Sequence, residues 1–201
     1  MINFPPQTSL PTTVSLEKNF LDSQVVDNFL ESIKNIPYKH GTLLNTEELD
    51  DYRICQVKWI PFENRFLSLY HHCKDHIVDR NSLTWKFNID NGQEMFQYTE
   101  YNGDTKGRYN WHIDVGPGHT SYRKLSIVIQ LSDPEEYEGG DLEIFDCWDT
   151  ALDPFNFPSK AVPKSKGSIV IFPSYMPHRV TPVTKGIRKS LVWWVGGDHL
   201  K

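Results

Sequence analysis

Ser168-Ile-Val-Ile-Phe-Pro-Ser-Tyr-Met-Pro-His178-Arg-Val-Thr-Pro-Val-Thr-Lys-Gly-Ile-Arg188-Lys-Ser-Leu-Val-Trp-Trp-Val195 reads as strand, break, strand, turn and strand. Ser168–Phe172 is apolar and β-branched, and Pro173 stops it. A second β-branched run follows over His178–Val183, and a third over Lys189–Val195. A turn at Lys185-Gly186 lets these last two run antiparallel, with Arg188 deeper than His178.

Working back from this stretch, the same texture continues to about Ser82. Short runs rich in Trp, Phe, Tyr, Ile and Val alternate with Gly, Pro and Asp breaks, which predicts further strands over Thr84–Ile89, Glu94–Tyr101, Asn110–Val115, Leu125–Leu131 and Asp141–Phe145. About eight strands at this spacing predict a sandwich or jelly-roll barrel. Before them the texture is mixed. Asp22 stands as an N-cap ahead of Val25, Val26, Phe29, Leu30 and Ile33 at helical spacing, with Pro37 ending the element. Ile54, Val57, Trp59 and Ile60 suggest a short strand, and Asn64–Val78 an amphipathic helix. Residues 1–13 read as an extended arm and 41–51 as loop. No linker divides the chain, so the expectation is one domain over 1–201, with 1–82 a mixed helical support and 83–201 the β core.

Composition narrows the function classes. The chain has 201 residues, 38% hydrophobic and 23% charged, as in an ordinary globular domain. With 26 acidic against 21 basic residues the formal charge is -5, which argues against a nucleic-acid partner. Cys55, Cys73 and Cys147 stand far apart and form no CxxC pair; reduced thiols in a cytoplasmic location are the simplest reading. No stretch has the ~20 apolar residues of a membrane helix, and Met1–Thr13 lacks a basic-then-apolar signal pattern.

The chemistry is concentrated at Trp111-His112-Ile113-Asp114. Residues two apart in a strand share a face, so His112 and Asp114 project together and can bind one metal. With 8 His and 15 Asp in the chain, about 0.6 such His-x-Asp matches arise by chance, so the pair alone decides nothing. His178 supplies a third ligand. Two imidazoles and one carboxylate with open positions form the facial triad of iron(II) oxygenases, whereas a closed four-ligand zinc site leaves no room for substrate. Arg188, ten residues after His178, is a planar fork suited to a buried carboxylate.

In ordered blocks over residues 94–197 the sequence resembles the prolyl-4-hydroxylase-type 2-oxoglutarate/iron(II) oxygenases, PKHD-type members in particular. The blocks are Tyr101-Asn-Gly-Asp; Tyr109-Asn-Trp-His112-Ile-Asp114; Arg123-Lys-Leu-Ser-Ile-Val-Ile-Gln-Leu-Ser-Asp; Tyr137-Glu-Gly-Gly-Asp-Leu-Glu-Ile; and Lys166-Gly-Ser-Ile-Val-Ile-Phe-Pro-Ser with His178 through Ser190. The resemblance implies a mainly β (α+β) fold, a double-stranded β-helix (jelly roll, cupin-like) buttressed by N-terminal helices. It implies Fe(II) on His112, Asp114 and His178, and 2-oxoglutarate paired to Arg188 with Ser190 assisting. Tyr101 and Tyr109 match tyrosines that line the cosubstrate pocket. Gln130 stands where many members place a cosubstrate-contacting Tyr. O2 is consumed, succinate and CO2 are released, and ascorbate is an optional accessory. Trp111, Ile113, Trp193 and Trp194 are apolar neighbours suited to shielding the reaction.

Hydroxylation of a prolyl or other residue in a peptide or protein leads, by a monomer or homodimer; a small-molecule substrate is the alternative. The nucleic-acid demethylase branch usually carries a second Arg six residues after the first, where this chain has Trp194. A cupin-like isomerase or sensor that binds metal without oxidation competes from another class, as does a degenerate binding module. Arg188 discriminates, because those classes need no keto-acid clamp.

Overall fold

The structure, a computed structural model, describes residues 14–41, 51–90, 94–145 and 159–198. The expected N-terminal arm, most of the expected 41–51 loop and Cys147 lie outside them. In chain order the elements are β1 (Ser15–Glu17), α1 (Ser23–Ser32), β2 (Lys39–His40), β3 (Arg53–Ile54), β4 (Gln56–Ile60), α2 (Asn64–Leu83), β5 (Phe96–Asn102), β6 (Arg108–His112), β7 (Arg123–Gln130), β8 (Tyr137–Gly139), β9 (Leu142–Phe145), β10 (Ser159–Ala161), β11 (Ile169–Pro173), β12 (His178–Val180) and β13 (Val183–Gly196).

The strands form two facing sheets. The larger runs β1-β11-β7-β13-β5-β4-β2, with β8 on the end of β13, and the smaller runs β10-β9-β12-β6-β3. Together they make a double-stranded β-helix, the jelly-roll class expected from the strand spacing. The larger sheet is buried on both faces, and its alternation sorts side chains into two cores. Leu125, Ile127, Ile129, Leu191, Trp193 and Val195 face the helices, in one cluster with Val26, Phe29, Phe66, Tyr70, Cys73 and Ile77. The intervening Val128 and Val192 face the smaller sheet, with Leu142, Ile144, Phe172 and Val180.

Tyr70 fixes α2 to the sheet. Its ring stacks on Phe96 at 3.8 Å, and its hydroxyl donates to the Ile60 carbonyl and accepts from the Phe96 N–H, both at 2.6 Å. The buried stripe Phe66, Tyr70, Cys73, Ile77 continues to Asn81, which carries α2 past the expected end at Val78. Asn81 exchanges two hydrogen bonds with the Phe87 backbone, at 2.8 and 3.0 Å. That clamp holds Thr84–Ile89 as an irregular return, not the expected strand; its Trp85, Phe87 and Ile89 pack onto the helix-side core. Helix α1 begins after Asp22 as expected, though Asp22 makes no side-chain cap, and it stops at Ser32, well before Pro37.

Two corrections bear on the site. The expected strand across Ile54–Ile60 divides at Cys55: β3 joins the smaller sheet beside β6, and β4 joins the larger beside β5. The expected turn at Lys185-Gly186 is absent, because β13 runs unbroken from Val183 to Gly196. The break falls at Thr181-Pro182, so β12 and β13 enter opposite sheets and do not pair. Gly186 has φ +69, and a Cβ there would run into the carbonyl of Glu136, just before β8, which pairs with β13 at an irregular register. The glycine marks a close backbone approach inside a strand.

Candidate metal centre

His112 ends β6 and His178 begins β12, and the two are direct partners across that antiparallel pair. Their ring centroids are 4.1 Å apart. Asp114 lies beyond the end of β6, so the shared face expected from a strand over Asn110–Val115 is reached by a different route. The Asp114 N–H donates to the Ser174 carbonyl at 2.9 Å, and the Ser126 hydroxyl donates to Asp114 Oδ2 at 2.7 Å. Ser126 in turn meets the Ser174 hydroxyl at 3.0 Å. The carboxylate then lies 3.7 Å from His112 Nε2 and 3.4 Å from His178 Nε2. All three ligand atoms fall within 4.8 Å of one another.

Both rings are set for ligation through Nε2. His112 Nδ1 lies 2.7 Å from the Asn110 carbonyl and His178 Nδ1 lies 2.9 Å from the Met176 carbonyl. A carbonyl only accepts, so in the neutral rings Nδ1 carries the proton and Nε2 presents its lone pair to the ion. Burial, aided by the neighbouring His178, drives the His112 pKa down to about 3. Burial alone would raise Asp114 and lower His178. Their mutual attraction outweighs it, holding the carboxyl below its ordinary range and lifting the imidazole.

The triad opens onto a cavity of about 540 Å³ between the sheets, in the size range of small-molecule sites. Arg188 reaches it from the larger sheet, on the inward face of β13 that carries Ser190, Val192 and Trp194. It is 1% exposed. Its NH1 donates to Ser190 Oγ at 3.2 Å and its NH2 to Gln130 Oε1 at 3.0 Å, while Nε has no partner. Tyr101 is its cross-strand neighbour, the ring centroid 5.4 Å from the guanidinium carbon. No carboxylate among the described residues pairs with Arg188. A guanidinium so deeply buried among neutral partners calls for an anionic ligand. The open 2-His-1-carboxylate set calls for a redox-active divalent ion. The residues present therefore fit iron(II) and a dicarboxylate such as 2-oxoglutarate.

The other expected residues divide. Tyr109 stacks on His112 with centroids 3.4 Å apart, and burial pushes its phenol up to about 12. Gln130 is buried and holds Arg188. Trp194 and Ile113 line the cavity. Trp193 does not shield it: it faces the helices and donates to the Glu94 carbonyl at 2.8 Å. Trp111 takes the Arg179 guanidinium over its ring.

The sequence reading missed Ser126, Ser174, Arg123 and Arg53. Arg123 pairs with Glu94, with Nε 2.6 Å from Oε1, donates to the Asp114 carbonyl at 3.1 Å and lies 3.9 Å over the Trp194 ring. From Leu125 onward the alternation of β7 signalled Ser126 and Gln130, two inward polar residues in an otherwise apolar run.

A double-stranded β-helix holding two histidines and one carboxylate at the mouth of a cavity, with a buried arginine within, defines a class of non-haem metal oxygenase scaffolds. Residues 96–196 match the family model described as the 2OG-Fe(II) oxygenase superfamily. The match spans half of the chain, and the protein belongs to that superfamily. The family implies Fe(II), 2-oxoglutarate and O2.

Among curated proteins it is similar to PKHD-type hydroxylases. That of Teredinibacter turnerae is 40% identical over 94 residues, covering 44% of this chain and 38% of the relative. That of Xylella fastidiosa is 37% identical over 98 residues, covering 44% and 39%. The match thus spans about two-fifths of each relative. Among solved structures, a Pseudomonas putida prolyl-4-hydroxylase superposes with a TM-score of 0.68 at 18% identity, over 92% of this chain and 93% of that one. A Trichoplax adhaerens prolyl hydroxylase in complex with a hypoxia inducible factor peptide fragment gives 0.68 and 18%, over 92% and 83%. No helix among the described residues is long and apolar enough to cross a membrane.

Proposed function

We propose that this protein is a 2-oxoglutarate- and Fe(II)-dependent dioxygenase that hydroxylates a prolyl or other residue of a peptide or protein. The observation that carries the reading is Arg188, buried among neutral partners in the cavity that the His112, Asp114 and His178 triad opens onto. A non-oxidising cupin-like protein has no use for that guanidinium.

In this reading His112, Asp114 and His178 hold the iron. Arg188, kept in place by Ser190 and Gln130, receives the far carboxylate of 2-oxoglutarate. Bound iron and 2-oxoglutarate supply activation of O2, with release of succinate and CO2 and transfer of one oxygen atom to the substrate. The chain contributes geometry and exclusion of water. Ser126 and Ser174 orient the Asp114 carboxylate, the Asn110 and Met176 carbonyls fix both imidazole tautomers, and Tyr101 and Tyr109 wall the cavity as neutral phenols. The peptide class is supported by the PKHD-type relatives and by the peptide-bound structural neighbour. We further propose that residues 1–82 and 83–201 act as one domain, since helices α1 and α2 share a core with the larger sheet. The free, buried Cys55 and Cys73 support a cytoplasmic location.

The test is iron-dependent succinate release against proline-containing peptides and free amino acids, with a mass gain of one oxygen on the product. Succinate without any oxygenated product across peptides, with turnover on a free amino acid, moves the substrate to the small-molecule class. No iron-dependent succinate at all overturns the reading.

A further inference from the structure

We infer that Gln97 reads the substrate: its side-chain amide, anchored by Arg53 on a wall of the cavity, donates to the carbonyl of a neutral amide close to the atom that is oxidised. The inference rests on the function proposed above and deepens it, because it favours a peptide over a free amino acid.

Gln97 lies on β5, level with Trp59 on β4 and Val192 on β13. Directly paired residues share a face of the sheet, and all three line the cavity. The Trp59 ring is 6.4 Å from that of Trp194, which lines it as well. The patch is thus aromatic and aliphatic around one amide.

The orientation of that amide is fixed. Its Oε1 accepts from Arg53 NH2 at 2.8 Å and from Thr99 Oγ1 at 3.4 Å. Arginine only donates, so the atom facing Arg53 is the oxygen. Gln97 is 5% exposed, yet no group among the described residues accepts from its Nε2. That nitrogen is also not sealed off, as the partnerless Arg188 Nε and Trp194 Nε1 are. A donor in a buried residue that opens onto a cavity and lacks a protein acceptor is matched by an acceptor on the ligand.

Arg53 is the anchor and not the receptor. Its Nε donates to Cys55 Sγ at 3.2 Å, its NH2 is given to Gln97, and its guanidinium carbon lies 4.6 Å over the Tyr109 ring. Lys39 also lines the cavity, but it is exposed and stands on β2, two strands from β5. A carboxylate at Gln97 would leave water for a site walled by Trp59, Val192 and Trp194, at a high desolvation cost. An amide carbonyl there needs only the donor.

Register sets the patch apart from the cosubstrate and near the metal. Arg188 is level with Tyr101, four residues along β5 from Gln97, which is roughly 13 Å at about 3.3 Å per residue. Ser126, which holds Asp114, is level with Trp194, two residues from Val192. Ser126 lies on β7, the other neighbour of β13, so it is two strands across and two residues along from Gln97, about 12 Å in all. A carbonyl at Gln97 therefore belongs to the substrate and not to 2-oxoglutarate.

The test titrates the iron- and 2-oxoglutarate-loaded protein, kept free of oxygen, with blocked peptides acetyl-Ala-X-Ala-amide, X being each standard amino acid in turn, and with the free amino acids. The tightest blocked peptide should bind more tightly than the free amino acid of the same X. In that peptide each carbonyl is then replaced by a thiocarbonyl, a poor acceptor. One replacement should weaken binding to the wild type about tenfold, a difference of 1.4 kcal/mol. Gln97→Glu keeps an acceptor for Arg53 and turns the donor into a second acceptor. It should bind the parent peptide about tenfold more weakly, be indifferent to that replacement, and keep its 2-oxoglutarate affinity. A merely structural defect would weaken parent and thiocarbonyl peptides alike. If melting shows that Gln97→Glu does not fold, Gln97→Met takes its place, and the wild-type thiocarbonyl series alone decides if neither folds. No binding by any blocked peptide, tighter binding of the free amino acid, no sensitive carbonyl, or equal sensitivity in the folded variant overturns the inference and leaves Gln97 a clasp for β3. If the protein takes up no iron or 2-oxoglutarate, the proposed function falls, and the same comparison in metal-free protein decides the role of Gln97 by itself.

Discussion

His112 and His178 stand directly opposite each other across the β6–β12 pair, and each spends its Nδ1 proton on a backbone carbonyl two residues before it. Their Nε2 atoms therefore converge on Asp114 without help from side chains further away. An ion held there ties two strands of the smaller sheet to a loop anchored on the larger one. At an ion concentration 100 times its dissociation constant, binding to the folded state adds about 2.7 kcal/mol. For a chain of this length that is a rise of roughly 5–10 °C in melting temperature. Chelation of the loaded protein should reverse it. His178→Ala should melt like the metal-free protein with or without Fe(II), and should release no succinate. Metal-dependent stabilisation persisting in His178→Ala would remove that residue from the ligand set.

Arg188→Ala should leave metal uptake intact and raise the 2-oxoglutarate requirement. Removing one member of a buried, hydrogen-bonded charge pair costs about 2–5 kcal/mol, which is roughly 30-fold or more in apparent KM. Arg188→Lys keeps the charge and loses the fork that reaches both Ser190 and Gln130, so it should fall between. Equal KM values in all three proteins would detach Arg188 from the cosubstrate.

Metal affinity should depend on a single proton. In the metal-free protein Asp114 raises the His178 pKa above its ordinary 6.5, while burial holds His112 down to about 3. As pH falls through the raised His178 value, its Nε2 becomes protonated and must lose that proton to bind the ion. His112 stays neutral throughout. The logarithm of affinity should therefore fall by about one unit per pH unit below the His178 value. The stabilisation that protonated His178 gives the metal-free fold runs the other way: it is fully present below about 6.5 and is lost as pH rises through the folded-state value. A slope of two between pH 7 and 5, measured by competition with a chelator, would show that both rings titrate.

The residues of the site were legible where a local pattern carries them. His112, Asp114, His178 and Arg188 were readable because each sits in a β-texture with a fixed spacing to the next. The way they assemble was not. The sequence places His178 and Arg188 ten residues apart around a Lys-Gly that looks like a hairpin, and nothing local shows that Gly186 relieves a close approach by Glu136. Asp114 reaches the histidines through Ser174, sixty residues later in the chain, a contact made only when the sheets close. Arg53 lies in a two-residue strand with no periodicity to read, and its place is set by the β3–β6 pairing. Asn81 shows the limit on the helix side, because a polar residue continuing an apolar stripe registers as an end.

Ser126→Ala tests the support beneath the metal. The Ser126 hydroxyl is the only side chain outside the triad, among the described residues, that donates to the Asp114 carboxylate. Loss of such an outer partner typically costs 10–100-fold in metal affinity, with the ligands untouched. The variant should bind Fe(II) about 10- to 100-fold more weakly and recover succinate release when iron is raised. A loss of succinate release that excess iron does not restore would mean that Ser126 does more than orient Asp114.

Tyr70→Phe tests how the helix layer is held. The ring keeps its stack on Phe96, so the variant removes only a hydroxyl that serves the Ile60 carbonyl and the Phe96 N–H. Both groups lie in the core and lose a partner at once. An unsatisfied buried polar group costs about 1–3 kcal/mol. Tyr70 is far from the triad side of the sheet, because Phe96 and Trp193 face the helices while Gln97 and Val192 face the cavity. The expected result is a melting temperature lower by about 3–10 °C with an unchanged 2-oxoglutarate KM at a temperature where the variant stays folded. A fall in melting temperature of less than 1 °C would show that the Tyr70 hydroxyl does not hold α2 against β4 and β5.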